Sequence, residues 1–104
     1  MRIDTINACL GRLKFTGHAV KEMIVEELGE ITEDEVKQVL RAGEIIEQYP
    51  EDRPTPSCLI FGRTEGGRPL HIVCAPVVEE ETLVIITVYE PDPVKWVDYR
   101  RRVK

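Results

Sequence analysis

Ile31-Thr32-Glu33-Asp34-Glu35-Val36, followed by Gly43-Glu44-Ile45-Ile46-Glu47-Gln48-Tyr49, is where the chain changes its hydrophobic period. Thr32 stands three residues before Glu35, the spacing of a capping box: the hydroxyl caps the Glu35 amide and the Glu35 side chain reaches back. Ile31 and Val36 take the two positions of a hydrophobic staple. Three acids in one turn suit the positive end of a helix dipole, so they are read as helix structure and not as a metal or catalytic cluster. Val36, Val39 and Leu40 form the buried stripe, and Gly43 ends the helix. From Glu44 the pattern becomes that of strands, a first one over 44–49 stopped by Pro50.

Downstream the strands continue. Pro50 to Pro56 is a stiff loop with three prolines. Ser57 to Arg63 reads as a strand, Glu65-Gly66-Gly67 as a hairpin turn, and Pro69 to Ala75 as a third strand with its proline at the start. Glu79-Glu80-Glu81 is an exposed turn. Leu83 to Tyr89 is nearly all apolar and is placed centrally in the sheet. Pro91 and Pro93 stop it, and Val94 to Arg102 is predicted to be a short final helix with Trp96 packed back on the body. Upstream, the spacing of Val20, Met23, Ile24 and Leu28 predicts a helix over 17–29, capped by Thr16 and stopped by Gly29. Two helices followed by a meander of about four strands make an α+β fold.

The chain of 104 residues is read as one domain, 1–104. Hydrophobic residues make up 42% and charged residues 32%, the balance of an ordinary globular protein. No apolar run approaches the roughly 20 residues that cross a bilayer, and Met1-Arg2-Ile3-Asp4-Thr5 does not read as a secretory signal. A cytoplasmic location and no membrane association are therefore expected. Cys9, Cys58 and Cys74 are widely spaced without a C-x-x-C, the pattern of free thiols rather than of a zinc site or disulfide framework. No cofactor and no metal is expected.

The net charge of −5 argues against general nucleic-acid binding. The charge is uneven. Residues 1–53 hold 7 Lys+Arg against 12 Asp+Glu, and residues 54–104 hold 7 of each. The tail Arg100-Arg101-Arg102-Val103-Lys104 is locally basic, a pattern shared by a solvated terminus and by a phosphate-binding patch.

Two strands carry polar groups that a structural strand does not require: Arg68 and His71 in the first, Tyr89 in the second. Histidine exchanges protons near neutral pH, and arginine holds a phosphate or carboxylate through two hydrogen bonds. Metal-free RNA cleavage needs a proton acceptor for the 2′-hydroxyl, a donor for the leaving oxygen and cations for the phosphorane. His71 would be base or acid, His18 or Tyr89 its partner, and Arg68 or Arg63 the phosphate holder. Lys14, Lys95, Arg100, Arg101 and Arg102 complete the basic groups placed to meet RNA or a partner. Each has a structural reading beside this one: a core histidine bonded to backbone, a helix-start His18, a half-buried Tyr89. An ideal strand points Arg68 and His71 to opposite faces.

Phe15-Thr16-x-His18-Ala19, Ile31-Thr32-x-x-x-Val36, Gly43-Glu44-Ile45-Ile46, Gly67-Arg68-Pro69-Leu70-His71-Ile72-Val73 and Ile86-Thr87-Val88-Tyr89-Glu90-Pro91-Asp92-Pro93-x-x-Trp96 occur in that order. Over residues 14–102 the chain resembles a small bacterial family of unknown function grouped with the RelE/ParE-like toxins of type II toxin–antitoxin systems. The resemblance implies two helices on one face of a twisted, three- to four-stranded antiparallel sheet, with RNA met by the opposite face. It implies a small antitoxin as partner, of zinc-finger type in many members, and messenger RNA or the ribosome as target where the protein is active. The family pattern has arginines where this chain has Glu22 and, near the helix end, Glu27. Two classes of function follow: a metal-independent mRNA endoribonuclease, or a non-catalytic module that keeps the toxin fold and binds protein. The retained His71, Arg68 and Tyr89 favour the first. The two replaced arginines and the acid balance favour the second. Oligomeric state is left open.

Overall fold

The computed structural model describes residues 1–104. In chain order the elements are α1 (Ile3–Ala8), β1 (Leu13–Phe15), α2 (Gly17–Val25), α3 (Glu33–Ala42), β2 (Glu44–Tyr49), β3 (Ser57–Arg63), β4 (Pro69–Val77), a 3₁₀ turn (Val78–Glu80), β5 (Thr82–Tyr89), β6 (Trp96–Val97) and β7 (Arg101–Arg102). The fold is α+β. Five strands form one sheet in the order β1-β5-β4-β3-β2, and β6 and β7 form a separate hairpin.

The capping box is present as its spacing predicts. Thr32 Oγ1 accepts from the Glu35 amide at 3.2 Å, and Glu35 Oε1 accepts from the Thr32 amide at 2.9 Å. Strands β2 and β3 have the bounds read from the sequence, and β4 and β5 are each slightly longer. Gly43 ends α3 without adopting a left-handed conformation; a Cβ there would lie 2.6 Å from Ile60 Cγ2 and 2.7 Å from the Val39 carbonyl. Glycine is required because α3 lies directly on β3 at that point.

Four expectations are corrected. The sheet is mixed: β2 to β5 form an antiparallel meander, but β1 pairs parallel to β5, with Leu13 opposite Leu83 and Phe15 opposite Ile85. A three-residue strand carries too little periodicity to be read alone. Helix α1 was not read either, its six residues making fewer than two turns. Helix α2 stops at Val25, and the face built from Val20, Met23, Ile24 and Leu28 is not the core face; only Met23 of the four is buried. The final helix is absent. Residues 96–102 are a two-stranded hairpin whose turn residues Asp98 and Tyr99 both have positive φ, 53° and 58°. That turn geometry is ordinarily announced by Asn-Gly or Asp-Gly, and Asp98-Tyr99 gives no such signal.

The core lies between the helices and one face of the sheet. Met23, Ile31, Val36, Val39 and Leu40 pack with Ile60, Leu70, Ile72, Leu83 and Ile85 in a single buried cluster. Because strand side chains alternate, the neighbours of Leu70 and Ile72 face the other way. His71 therefore points to the face the helices do not cover, and the hairpin β6–β7 covers it. No helix is long and apolar enough to cross a membrane.

Candidate functional site: a histidine sealed beneath the C-terminal hairpin

Alternation along β3, β4 and β5 assembles Phe61, His71 and Tyr89 on the hairpin side of the sheet, with Phe61 opposite His71 and His71 opposite Tyr89 in the ladder. The hairpin adds Trp96 and Tyr99. The His71 ring meets Trp96 edge-on with centroids 4.5 Å apart, and lies 5.2 Å from Tyr89 and 5.9 Å from Phe61. His71 is 0% exposed. Its Nε2 lies 2.7 Å from the Tyr99 carbonyl and its Nδ1 3.0 Å from the Tyr89 hydroxyl. A carbonyl only accepts, so Nε2 carries the proton and Nδ1 accepts from Tyr89. This network fixes one neutral tautomer. Burial pushes the His71 pKa down, against the opposing effect of the Tyr99 carbonyl, and burial likewise pushes Tyr89 up. No buried side-chain nitrogen or oxygen in the protein is left without a hydrogen-bond partner.

Charge fastens the hairpin to β2. Arg102 makes a two-pronged bond to Glu47, Nε to Oε2 at 2.9 Å and an Nη to Oε1 at 3.0 Å, while lying 4.7 Å over the Trp96 ring. Glu47 Oε1 also accepts from the Tyr49 hydroxyl at 2.6 Å. Arg102 lowers the Glu47 pKa through these bonds, whereas burial, followed by the bond to Glu47, raises Tyr49 to about 12. A bulge between Ile45 and Glu47 makes this possible. Ile45 faces the helix-side core, and with Ile46 as the extra residue Glu47 comes to the hairpin face. Arg100 pairs with Glu44 and with Asp98 at 2.7 Å, and lies 4.8 Å over Phe61.

Of the other candidate residues, the structure brings Arg63 to the margin of this cluster and leaves Arg68, His18, Lys14, Lys95 and Arg101 outside it. The Arg68 guanidinium is taken up by protein groups: Nε bonds Glu90 at 2.6 Å, and its terminal nitrogens bond the Glu35 carboxylate at 3.3 Å and the carbonyls of Gly29 and Glu30. It ties the α2–α3 connection to the end of β5. Burial opposes its charge, but Glu90 and Glu35 outweigh that and raise its pKa. Arg68 and His71 share no partner. His18 is on the exposed side of α2, 3.2 Å from Glu22, and Glu22 in turn accepts from the Val88 amide at 3.2 Å. Glu22 thus joins α2 to β5. Arg63 is exposed beside Tyr99, 5.4 Å from its ring. Lys14, Lys95 and Arg101 are exposed on β1, before β6 and on β7. Lys14 lies on the sheet edge farthest from β2, away from the hairpin's anchor. The cysteines are free and buried, with Cys58 and Cys74 Sγ 4.0 Å apart.

Sequence reading missed Glu47, Tyr49, Phe61 and Tyr99 as members of this cluster. Glu47 is displaced by a bulge and Tyr99 is delivered by an unsignalled turn. Only the excess of arginines in the tail hinted at an acidic counterpart.

These features define a small α+β domain whose one buried histidine is held neutral between a sheet and a strapped-on hairpin. The model of the domain-of-unknown-function family DUF4258 matches residues 15–90, and the chain belongs to that family. The match includes His18, Arg63, Arg68, His71 and Tyr89 and ends before Trp96. No curated protein and no solved structure matches the chain.

Proposed function

We propose that this chain is a protein-binding module of RelE/ParE type, belonging to a toxin–antitoxin pair and acting by binding rather than by cutting RNA. The observation that carries this reading is the state of the groups that RNA cleavage would use. His71 is wholly buried with both ring nitrogens bonded, and the Arg68 guanidinium is filled by two carboxylates and two carbonyls. A general base must come within about 3 Å of the proton it takes, and a 2′-hydroxyl has no path to His71 beneath the hairpin. The excess of acids in residues 1–53 supports the same reading.

A second reading keeps the endoribonuclease. It is favoured by one observation: His71 and Tyr89 are hydrogen-bonded neighbours on one sheet face, with Arg63 at its margin. On that reading the hairpin must leave before RNA enters. The test incubates the purified chain with RNA, alone and with translating ribosomes, in the presence of a chelator, and repeats it with Arg102→Ala, which frees the hairpin from Glu47. No cleavage is expected in any arm. Cleavage by either protein that disappears in His71→Ala would replace the binding-only reading with the nuclease. Expression alone and together with any short reading frame found beside its gene, followed by affinity capture, tests the toxin–antitoxin setting.

A further inference from the structure

The side of α2 that sequence periodicity assigned to the core is exposed. Val20 is 44% exposed, Ile24 60% and Leu28 64%. Isolated apolar residues on a surface are ordinary, but these three recur at four-residue spacing along one side of α2 and just beyond it. Val20 and Ile24 border a cleft of about 280 Å³ between β1, α2 and the start of α3. Buried Met23 and Ile31 line it together with Phe15, Val20 and Ile24, and Glu30 and Glu33 complete the lining.

We propose that this cleft is the docking site of a basic amphipathic helix from a partner protein, an inference that rests on the protein-binding reading above. Charge identifies the occupant. The apolar walls end in Glu30 and in Glu33, which lies 3.7 Å from Lys37, and the opposite flank of α2 borders a second cleft bearing Glu22, Glu26, Glu27 and Asp92 against Lys95, its Glu90 being taken by Arg68. A partner lying over α2 meets carboxylates on both sides. A second copy of this chain would bring those same acids together on a molecule of net charge −5, so like-charge repulsion disfavours self-association. A helix suits the groove better than a strand. The adjacent sheet edge, β1, is only three residues long and offers a short ladder, whereas apolar side chains at i and i+4 on α2 offer a ridge against which helical anchors pack.

The probe is a synthetic helical peptide of about four turns, with leucines along one stripe and lysine or arginine elsewhere. Its counterpart carries glutamate at the basic positions. Binding to the full chain is read by fluorescence anisotropy. The basic peptide is expected to bind, with affinity falling as salt rises, and the acidic peptide at least about tenfold more weakly. Ile24→Asp is expected to weaken the basic peptide by about tenfold or more, although it adds a negative charge that non-specific attraction would welcome. Ile24 is exposed, so the melting temperature should stay within a few degrees. Glu30→Lys with Glu33→Lys should reverse the preference between the peptides. Equal binding of both peptides, indifference to Ile24→Asp, or a dimer in sedimentation that Ile24→Asp dissociates would overturn the proposal. RNA cleavage by a chain that still binds the peptide would remove the binding-only reading and leave the cleft standing. Failure of peptide binding without cleavage would do the reverse.

Discussion

His71 shows what a single side chain can be asked to do in a sheet. Its neighbours Leu70 and Ile72 belong to the helix-side core, and its own ring carries polarity into the opposite layer. The structure spends that polarity on holding Tyr89 and the Tyr99 carbonyl. His71→Phe keeps an aromatic ring against Trp96 but leaves the Tyr89 hydroxyl and the Tyr99 carbonyl unpartnered, so it should cost about 1–3 kcal/mol by denaturant melting. Acid should act on the same contacts. Burial holds the His71 pKa below its ordinary value, so the unfolded chain takes up the proton first. The stability contributed by the neutral ring is intact above about pH 6.5 and is lost as pH falls below that value through the folded-state pKa. Glu47, held low by Arg102, adds a second loss as pH falls further through its own depressed range. The thermal midpoint of the native chain should therefore drop more steeply between about pH 7.5 and about pH 5.5 than that of His71→Phe. Equal slopes would mean that His71 does not carry the effect.

At the scale of elements, what was legible in the sequence was what neighbours in sequence decide. The capping box is local chemistry, and the bounds of β2 and β3 follow from short apolar runs set between glycine and proline stops. What was illegible depends on residues far away. The apolar stripe Val20, Ile24, Leu28 has helical spacing whether it faces a core or solvent, and only the placement of β5 against Ala19 and Met23 makes it the outer face. β1 exists because β5 offers it an edge. The hairpin depends on distant partners: His71 meets Trp96 and the Tyr99 carbonyl, and Glu47 and Glu44 meet its arginines. The candidate residues were legible by type and not by partner: nothing near Arg68 in sequence announces Glu90. Two changes at element ends test the local part. Thr32→Ala should destabilise the chain by about 1 kcal/mol through loss of the cap. Gly43→Ala should cost more, about 1–3 kcal/mol of strain where a methyl meets Ile60 and the Val39 carbonyl. Gly17, with open space at its Cβ position and at the start of α2, is the control: Gly17→Ala should be neutral or stabilising by about 0.4–1 kcal/mol. Thermal or urea melts measure all three.

At the scale of the whole molecule, the sheet has one face closed by helices and the other covered by a hairpin that packs on His71 and is ion-paired at its rim. The Arg102–Glu47 pair is exposed on the arginine side, so solvent screening limits it to about 0.2–1 kcal/mol. Arg102→Ala and Glu47→Gln, alone and together, should reveal a coupling of that size by double-mutant cycle. Amide exchange in the singles should quicken at residues 96–103 before it quickens in β3 and β4. Uniform quickening would show that the hairpin and sheet open only together.

The parallel pairing of β1 with β5 also bears on how the chain is made. Leu13 and Phe15 leave the ribosome long before Leu83 and Ile85 exist. Until those residues are translated, the oldest strand of the sheet has no mate, and α2 lacks the strand it packs against. Synthesis interrupted before Thr82 therefore yields a polypeptide that holds helices but cannot finish its sheet, and proteases should clear it faster than they clear the completed chain.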